Sequence, residues 1–278
     1  MEQKLKKLLL LSLLILNGLI GLSWAENFCE DANMIYCYVF DSDFGSGSIE
    51  DVTANSNDMT PQADAKPDWA NADPVSFGVS GDGGGYADFN GTDAYASDSH
   101  TTKYFATSDM TWGAWINKDT DDDFETFVYH DDDYRVTATA AEEAHISFIK
   151  DGGSQINVED GGSADKFTDD TWVHVVVDTD FDSTSALDTI FYFNTTLDAG
   201  AAGGTFGVTT QTDDLTVIGA RVGTAFFDGQ MDEIFLYNGG LTSTQIEEIY
   251  NYGLRGVQVA TGAGTILNGL TSNGVVIN

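Results

Sequence analysis

The chain has 278 residues, with 11 lysines and arginines against 45 aspartates and glutamates and a formal net charge of −34. A surface this acidic repels phosphate backbones, which excludes a nucleic-acid partner, while 42% hydrophobic and 12% aromatic content is too apolar for a disordered acidic chain. Of the acids, 34 are Asp and 11 are Glu, and Asp favours turns over helix interiors, so the bias points away from a helical protein.

Lys4, Lys6 and Lys7 precede an apolar run from Leu8 to Leu22, and Ser23-Trp24-Ala25 then sets small residues where a signal peptidase reads them. These features predict a signal peptide over residues 1–25 and export of the rest. The alternative is a retained membrane anchor, because the run approaches the roughly 18–20 residues that a span needs. No later segment is apolar for long enough to span a bilayer, so no membrane span is expected after cleavage. A main domain over 26–253 and a tail over 254–278 complete the predicted organisation.

Cys29 and Cys37 are the only cysteines, and both follow the predicted cleavage point. Export to an oxidising space predicts a disulfide between them, the alternative being two reduced thiols. Short β-rich runs follow, separated by Gly, Asp, Asn and Ser clusters. Met34–Phe40 opens the series, and Tyr86–Phe89, Asn90-Gly91 and Ala94–Ser97 read as a hairpin with a two-residue turn. Further strands are predicted at Thr111–Asn117, Thr126–Tyr129, Tyr134–Thr139, His145–Lys150, Gln155–Val158, Trp172–Thr179, Thr189–Asn194, Leu215–Ile218 and Gln230–Tyr237. One helix is predicted at Ser243–Tyr250, capped by Thr242 with Gln245 as its reciprocal partner and leaving at Gly253.

Several segments, in order, resemble the concanavalin A-like lectin/glucanase superfamily, and specifically its laminin-G-like jelly-roll domains. They are Tyr38–Asp41 with the Asp/Asn-rich loop Asp51–Asp58, Ala87–Tyr95, Met110–Asn117, Thr171–Val177, Phe227–Asn238 and Leu241–Ile246. The resemblance covers roughly residues 34–253. It implies a two-sheet antiparallel jelly-roll sandwich with one short C-terminal helix. It also implies a structural calcium that ties the early Asp/Asn loop to the closing strand, at Asp51 and Asp232 with Asn57. Calcium takes six to eight oxygens at about 2.3–2.6 Å, which short loop carboxylates and carbonyls can supply. The competing reading makes these acids solvated turn formers.

No catalytic constellation stands out. Glycoside-cleaving members of the superfamily carry a Glu-x-Asp-x-x-Glu strand, and a retaining enzyme needs two carboxyls about 5–5.5 Å apart. Asp232 and Glu233 would point to opposite faces of a strand, and Glu142-Glu143 and Glu247-Glu248 lack the pattern, so no enzyme is expected. Alternation puts Trp112, Ala114 and Ile116 on one face and Trp115 on the other. Trp115 is then either an outer platform for a sugar ring or second-layer core under another segment. Tyr95 is the other ring considered for ligand binding.

Two functions are consistent with these features. One is a secreted, non-catalytic module at or beyond the cell surface that binds a glycan or glycoprotein. The other is a structural subunit of an extracellular filament, coat or matrix, self-associating through residues 257–278 as an added edge strand.

Overall fold

The computed structural model describes residues 28–40, 47–62, 67–70, 85–99, 109–119, 125–130, 134–138, 144–150, 154–159, 166–168, 170–180, 189–199, 201–202, 215–221 and 224–259. The expected signal segment 1–25 and tail residues 260–278 lie outside the described residues, as do the aspartate runs 121–123 and 131–133. Among the described residues the strands are β1 (Met34–Tyr38), β2 (Thr60–Pro61), β3 (Asp68–Ala70), β4 (Tyr86–Asn90), β5 (Ala96–Ser99), β6 (Asp109–Lys118), β7 (Glu125–His130) and β8 (Tyr134–Ala138). They continue with β9 (Ala144–Lys150), β10 (Ser154–Glu159), β11 (Val173–Asp180), β12 (Thr189–Phe193), β13 (Thr196–Ala199), β14 (Ala201–Ala202), β15 (Leu215–Ile218) and β16 (Asp228–Tyr237), followed by helix α1 (Ser243–Val259).

All the pairings are antiparallel, and they build two sheets. The first runs β13-β12-β11-β6-β16-β4-β3, with β1 also paired to β16; the second runs β14-β10-β9-β8-β7-β15-β5-β2. Period-two alternation sends one set of side chains from each strand into the space between the sheets. Trp112 of β6 lies parallel to Phe127 of β7 with ring centroids 6.4 Å apart, and Phe89, Phe167, Phe191 and Phe227 complete an aromatic core. Full burial of each such ring contributes about 1.5–3 kcal/mol. This is the jelly-roll sandwich expected from the sequence.

The core also holds an ion pair. Lys118 at the end of β6 puts its Nζ 3.2 Å from Oε2 of Glu125 on β7, with both side chains fully enclosed. The pair links one sheet to the other. Burial outweighs the neighbouring ammonium and pushes the Glu125 carboxyl up to about 7.

Two local expectations change. Asn90-Gly91 does turn the chain, with Gly91 at φ 66°, but the result is a corner between sheets. β4 pairs with β16 and β3 in the first sheet, while β5 pairs with β15 and β2 in the second. Asn90 Oδ1 accepts from the N–H groups of Thr92, Asp93 and Ala94 at 3.0, 3.1 and 3.0 Å, and so holds the longer connection. Helix α1 also runs past Gly253 to Val259. Its cap is as predicted: Thr242 N donates to Gln245 Oε1 at 3.0 Å and Gln245 N donates to Thr242 Oγ1 at 3.3 Å.

Helix α1 forms a third layer on the outer face of the first sheet. Ile246, Ile249 and Leu241 pack against Val176, Tyr192, Phe235 and Tyr237, with Phe28 and Met34 alongside. Phe235 lies directly over Gly113 of β6, where any Cβ would collide with its ring. The disulfide is present, Cys29 to Cys37, and fastens the short turn Phe28–Glu30 to β1.

Candidate functional site

Asp51 is buried at 3% exposure, and its carboxylate is fully engaged by donors. Oδ1 accepts from the N–H groups of Cys37 and Thr53 at 2.9 and 3.1 Å. Oδ2 accepts from Thr53 Oγ1 and from Asn57 N–H, both at 2.8 Å. A carboxylate has about four lone-pair directions, and here each meets a donor hydrogen that would repel a cation. Asn57 donates its side-chain amide to Ile35 O at 2.7 Å, and its carbonyl accepts from the Tyr38 hydroxyl at 2.7 Å. Asp232, half-buried on β16, takes the Glu233 N–H at 2.8 Å. Among the described residues no three His, Cys, Asp or Glu side chains form a metal-holding group. Asp51, Asn57 and Asp232 therefore do not fit the calcium cage that the resemblance implies. Asp51 closes the loop by hydrogen bonds instead.

Asp232 and Glu233 do not follow simple strand alternation either. The β16–β6 register shifts between Asp232 and Phe235, and Glu233 has φ 49°, so a bulge sits there. Glu142 and Glu143 lie outside the described residues.

Trp115 points to the outer face of the first sheet, but α1 covers it. Its ring stacks on Tyr250 with centroids 5.2 Å apart and planes at 25°, and lies 4.9 Å from the His174 ring. Exposure of Trp115 is 3%, so the second-layer reading holds and the open-platform reading does not. Burial alone pushes His174 down to about 3, which keeps its ring neutral beneath the helix.

The uncovered end of this face is acidic. Gln230 donates through Nε2 to Asp88 at 3.2 Å and to Asp119 at 3.1 Å, and accepts from Asn117 Nδ2 at 2.7 Å. Burial first, then Asp88, Asp228 and Asp170, raise the Asp119 carboxyl.

The outer face of the second sheet has a different character. Tyr129 on β7 stands opposite Arg135 on β8 and opposite Val217 on β15, so the three share one row. Ser97 of β5 extends the row beside Val217. Around it, Tyr129, Val217 and Ala220 form an apolar patch against which Tyr95, Leu215 and Phe226 pack half-buried. The Tyr95 and Phe226 rings lie 6.3 Å apart at 44°. Gln62 borders the patch, donating to Ser97 Oγ at 2.9 Å and through its backbone to Tyr95 O at 3.2 Å.

Two cations join this patch. Burial, and then the like charge of Arg221, lower the Arg135 guanidinium, while Tyr129 acts in the opposite sense. Arg135 Nε is buried and meets no hydrogen-bond acceptor among the described residues. Tyr95 was thus legible as a candidate, whereas Tyr129, Phe226, Arg135 and Arg221 were not singled out. The available signal was scarcity, since the chain has only three arginines.

A family model described as the concanavalin A-like lectin/glucanases superfamily matches residues 89–247. No curated protein sequence matches the chain. Among solved structures, domain 4 of an extracellular arabinanase from Geobacillus stearothermophilus, in complex with arabinotriose, is similar with a TM-score of 0.56 at 16% identity. That match covers 80% of this chain and 100% of that one. The receptor-binding domain of botulinum neurotoxin C/D mosaic serotype has a TM-score of 0.57 at 9% identity, covering 79% of this chain and 51% of that one. The binding domain of botulinum neurotoxin DC, in complex with SialylT, has a TM-score of 0.52 at 9% identity, covering 80% and 51%. The chain thus spans about half the length of the neurotoxin binding domains it matches. At these identities the likeness is one of fold.

Proposed function

The chain belongs to the concanavalin A-like lectin/glucanases superfamily, and from that premise we propose that it is an exported, non-catalytic module that binds carbohydrate. The observation that carries this reading is the half-buried ring pair Tyr95 and Phe226, set beside Tyr129 and edged by the polar Gln62 and Ser97. Sugars present flat C–H faces between equatorial hydroxyls, and a pocket of rings with a few polar groups at its edge suits both surfaces. Two similar structures are complexes, one with arabinotriose and one with SialylT, in keeping with such a role on this fold. Fold alone does not assign function, so the proposal rests on the patch.

Export follows from the predicted signal segment 1–25, and among the described residues no helix is long and apolar enough to cross a membrane. Calcium has no part in the proposal, because the Asp51 carboxylate faces donors. A glycan array probed with the purified protein tests the reading, followed by titration of the ligands it yields. Tyr95→Ala is expected to weaken binding about tenfold, equivalent to about 1.4 kcal/mol. Silence across the array, or undiminished binding by Tyr95→Ala, would remove the site from consideration.

A further inference from the structure

The geometry points to a sugar acid as the ligand of this patch: a saccharide whose ring carboxylate is taken by Arg135 and Arg221 while its C–H face lies on Tyr95 and Phe226. The inference rests on the carbohydrate-binding reading above and narrows its ligand class.

Charge distribution is the first support. The chain carries 45 acids against 11 cations, yet two of its three arginines border the Tyr129–Val217–Ala220 patch, Arg135 opposite Tyr129 in the sheet and Arg221 next in the chain to Ala220. Neither has a carboxylate partner among the described residues, whereas Lys118 and Lys166 are each paired with an acid. Like charges held together raise the energy of the unliganded protein, and an anion placed between them relieves it. Structural ion pairing gives no reason for this arrangement. Anion binding does.

Geometry is the second support. Arg135 is fixed in the sheet by its register opposite Tyr129 on one side and Ser147 on the other, and its Nε lacks an acceptor. Arg221 is exposed at the turn that Thr224 closes, where Arg221 N donates to Thr224 O at 3.0 Å and Thr224 N to Arg221 O at 2.6 Å. A guanidinium fork matches the two oxygens of a carboxylate, and a charge-assisted pair is about twice as strong as a neutral hydrogen bond. The rings beside the arginines supply the part of the site that a free inorganic anion would leave unused. The net charge of −34 does not forbid an anionic ligand. At physiological ionic strength the screening length is about 8 Å, so distant acids are damped while contacts inside the patch persist.

Isothermal titration of the full-length protein with trigalacturonate, arabinotriose and sodium sulfate tests the inference, using the wild type, Arg221→Gln, Arg135→Gln and Tyr95→Ala. Arg221 is exposed, so Arg221→Gln keeps the experiment informative if Arg135→Gln fails to fold. Trigalacturonate is expected to bind at least tenfold more tightly than arabinotriose. Arg221→Gln should bring that ratio close to one, with Arg221→Lys between the two. Tyr95→Ala should weaken both sugars. If arabinotriose binds as tightly as trigalacturonate and both depend on Tyr95, the sugar-acid inference falls and the carbohydrate reading stands. Sulfate competing as well as trigalacturonate would make the pair a small-anion site and overturn the inference. Binding of neither sugar, with the array silent, would overturn both.

Discussion

Single residues here take their roles from what faces them. The Asp51 carboxylate has the composition of a calcium ligand and the surroundings of a loop anchor, because four donors converge on it. His174 is held neutral, pushed down to about 3 by burial from an ordinary value of 6.5. Its depressed folded value means that the unfolded chain takes up the proton more readily. The contribution of His174 to stability is therefore complete above about pH 6.5 and is lost as the pH falls toward 3. Glu125 has the opposite sign. Its carboxyl is raised from 4.5 to about 7, so its contribution is complete below 4.5 and fades as the pH rises to about 7. Urea unfolding between pH 7 and pH 4 should thus show a steeper fall in wild type than in His174→Gln. Parallel curves for the two proteins would mean that protonation of His174 is not coupled to unfolding.

At the level of elements, α1 decides what the first sheet presents to solvent. The capping pair Thr242 and Gln245 starts the helix, but its stability comes from the apolar face that it lays on the sheet. Ile246, fully buried, sits in that interface with Ile249, Phe235 and Tyr237. Ile246→Ala should cost about 2–5 kcal/mol, as expected for a truncated core side chain. The same substitution should loosen Tyr250 from Trp115 and shift tryptophan fluorescence toward that of a solvated indole. A stability loss below about 1 kcal/mol with unchanged emission would show that the helix contributes little to the fold. The corner at Asn90 shows the same principle from the other side. Residue identities predicted a turn there, and only the pairing of β4 with β16 and of β5 with β15 made it a crossing between sheets.

At the level of the molecule, charge is the dominant feature. A net −34 destabilises the compact state through self-repulsion, and salt should relieve that repulsion without regard to ion chemistry. The melting temperature is expected to rise with sodium chloride and to be the same in EDTA and in millimolar calcium at matched ionic strength. A calcium-specific rise on the order of 5–10 °C would establish a bound ion and refute the hydrogen-bonded account of the Asp51 loop. The charge is also unevenly spread. Asp88 and Asp119 gather around Gln230 on the outer face of the first sheet, while Arg135 and Arg221 border the apolar patch on the second. The two faces should therefore meet different partners.

The sequence by itself determined the fold class, most strand positions, the capped helix and the disulfide, because each follows from local pattern: period-two alternation, turn residues, a capping box and two cysteines eight residues apart. It also separated Trp112 from Trp115 onto opposite faces of β6. Tertiary structure alone decided what each face meets. Trp115 is covered because α1 folds back on the first sheet, and Asp51 is saturated because β1 and residues 53–57 bring four donors to it. Arg135 and Arg221 stand 86 positions apart in the chain, and they share a surface only because β7 pairs with both β8 and β15. Local pattern sets the direction in which a side chain points; long-range strand pairing sets what it finds there.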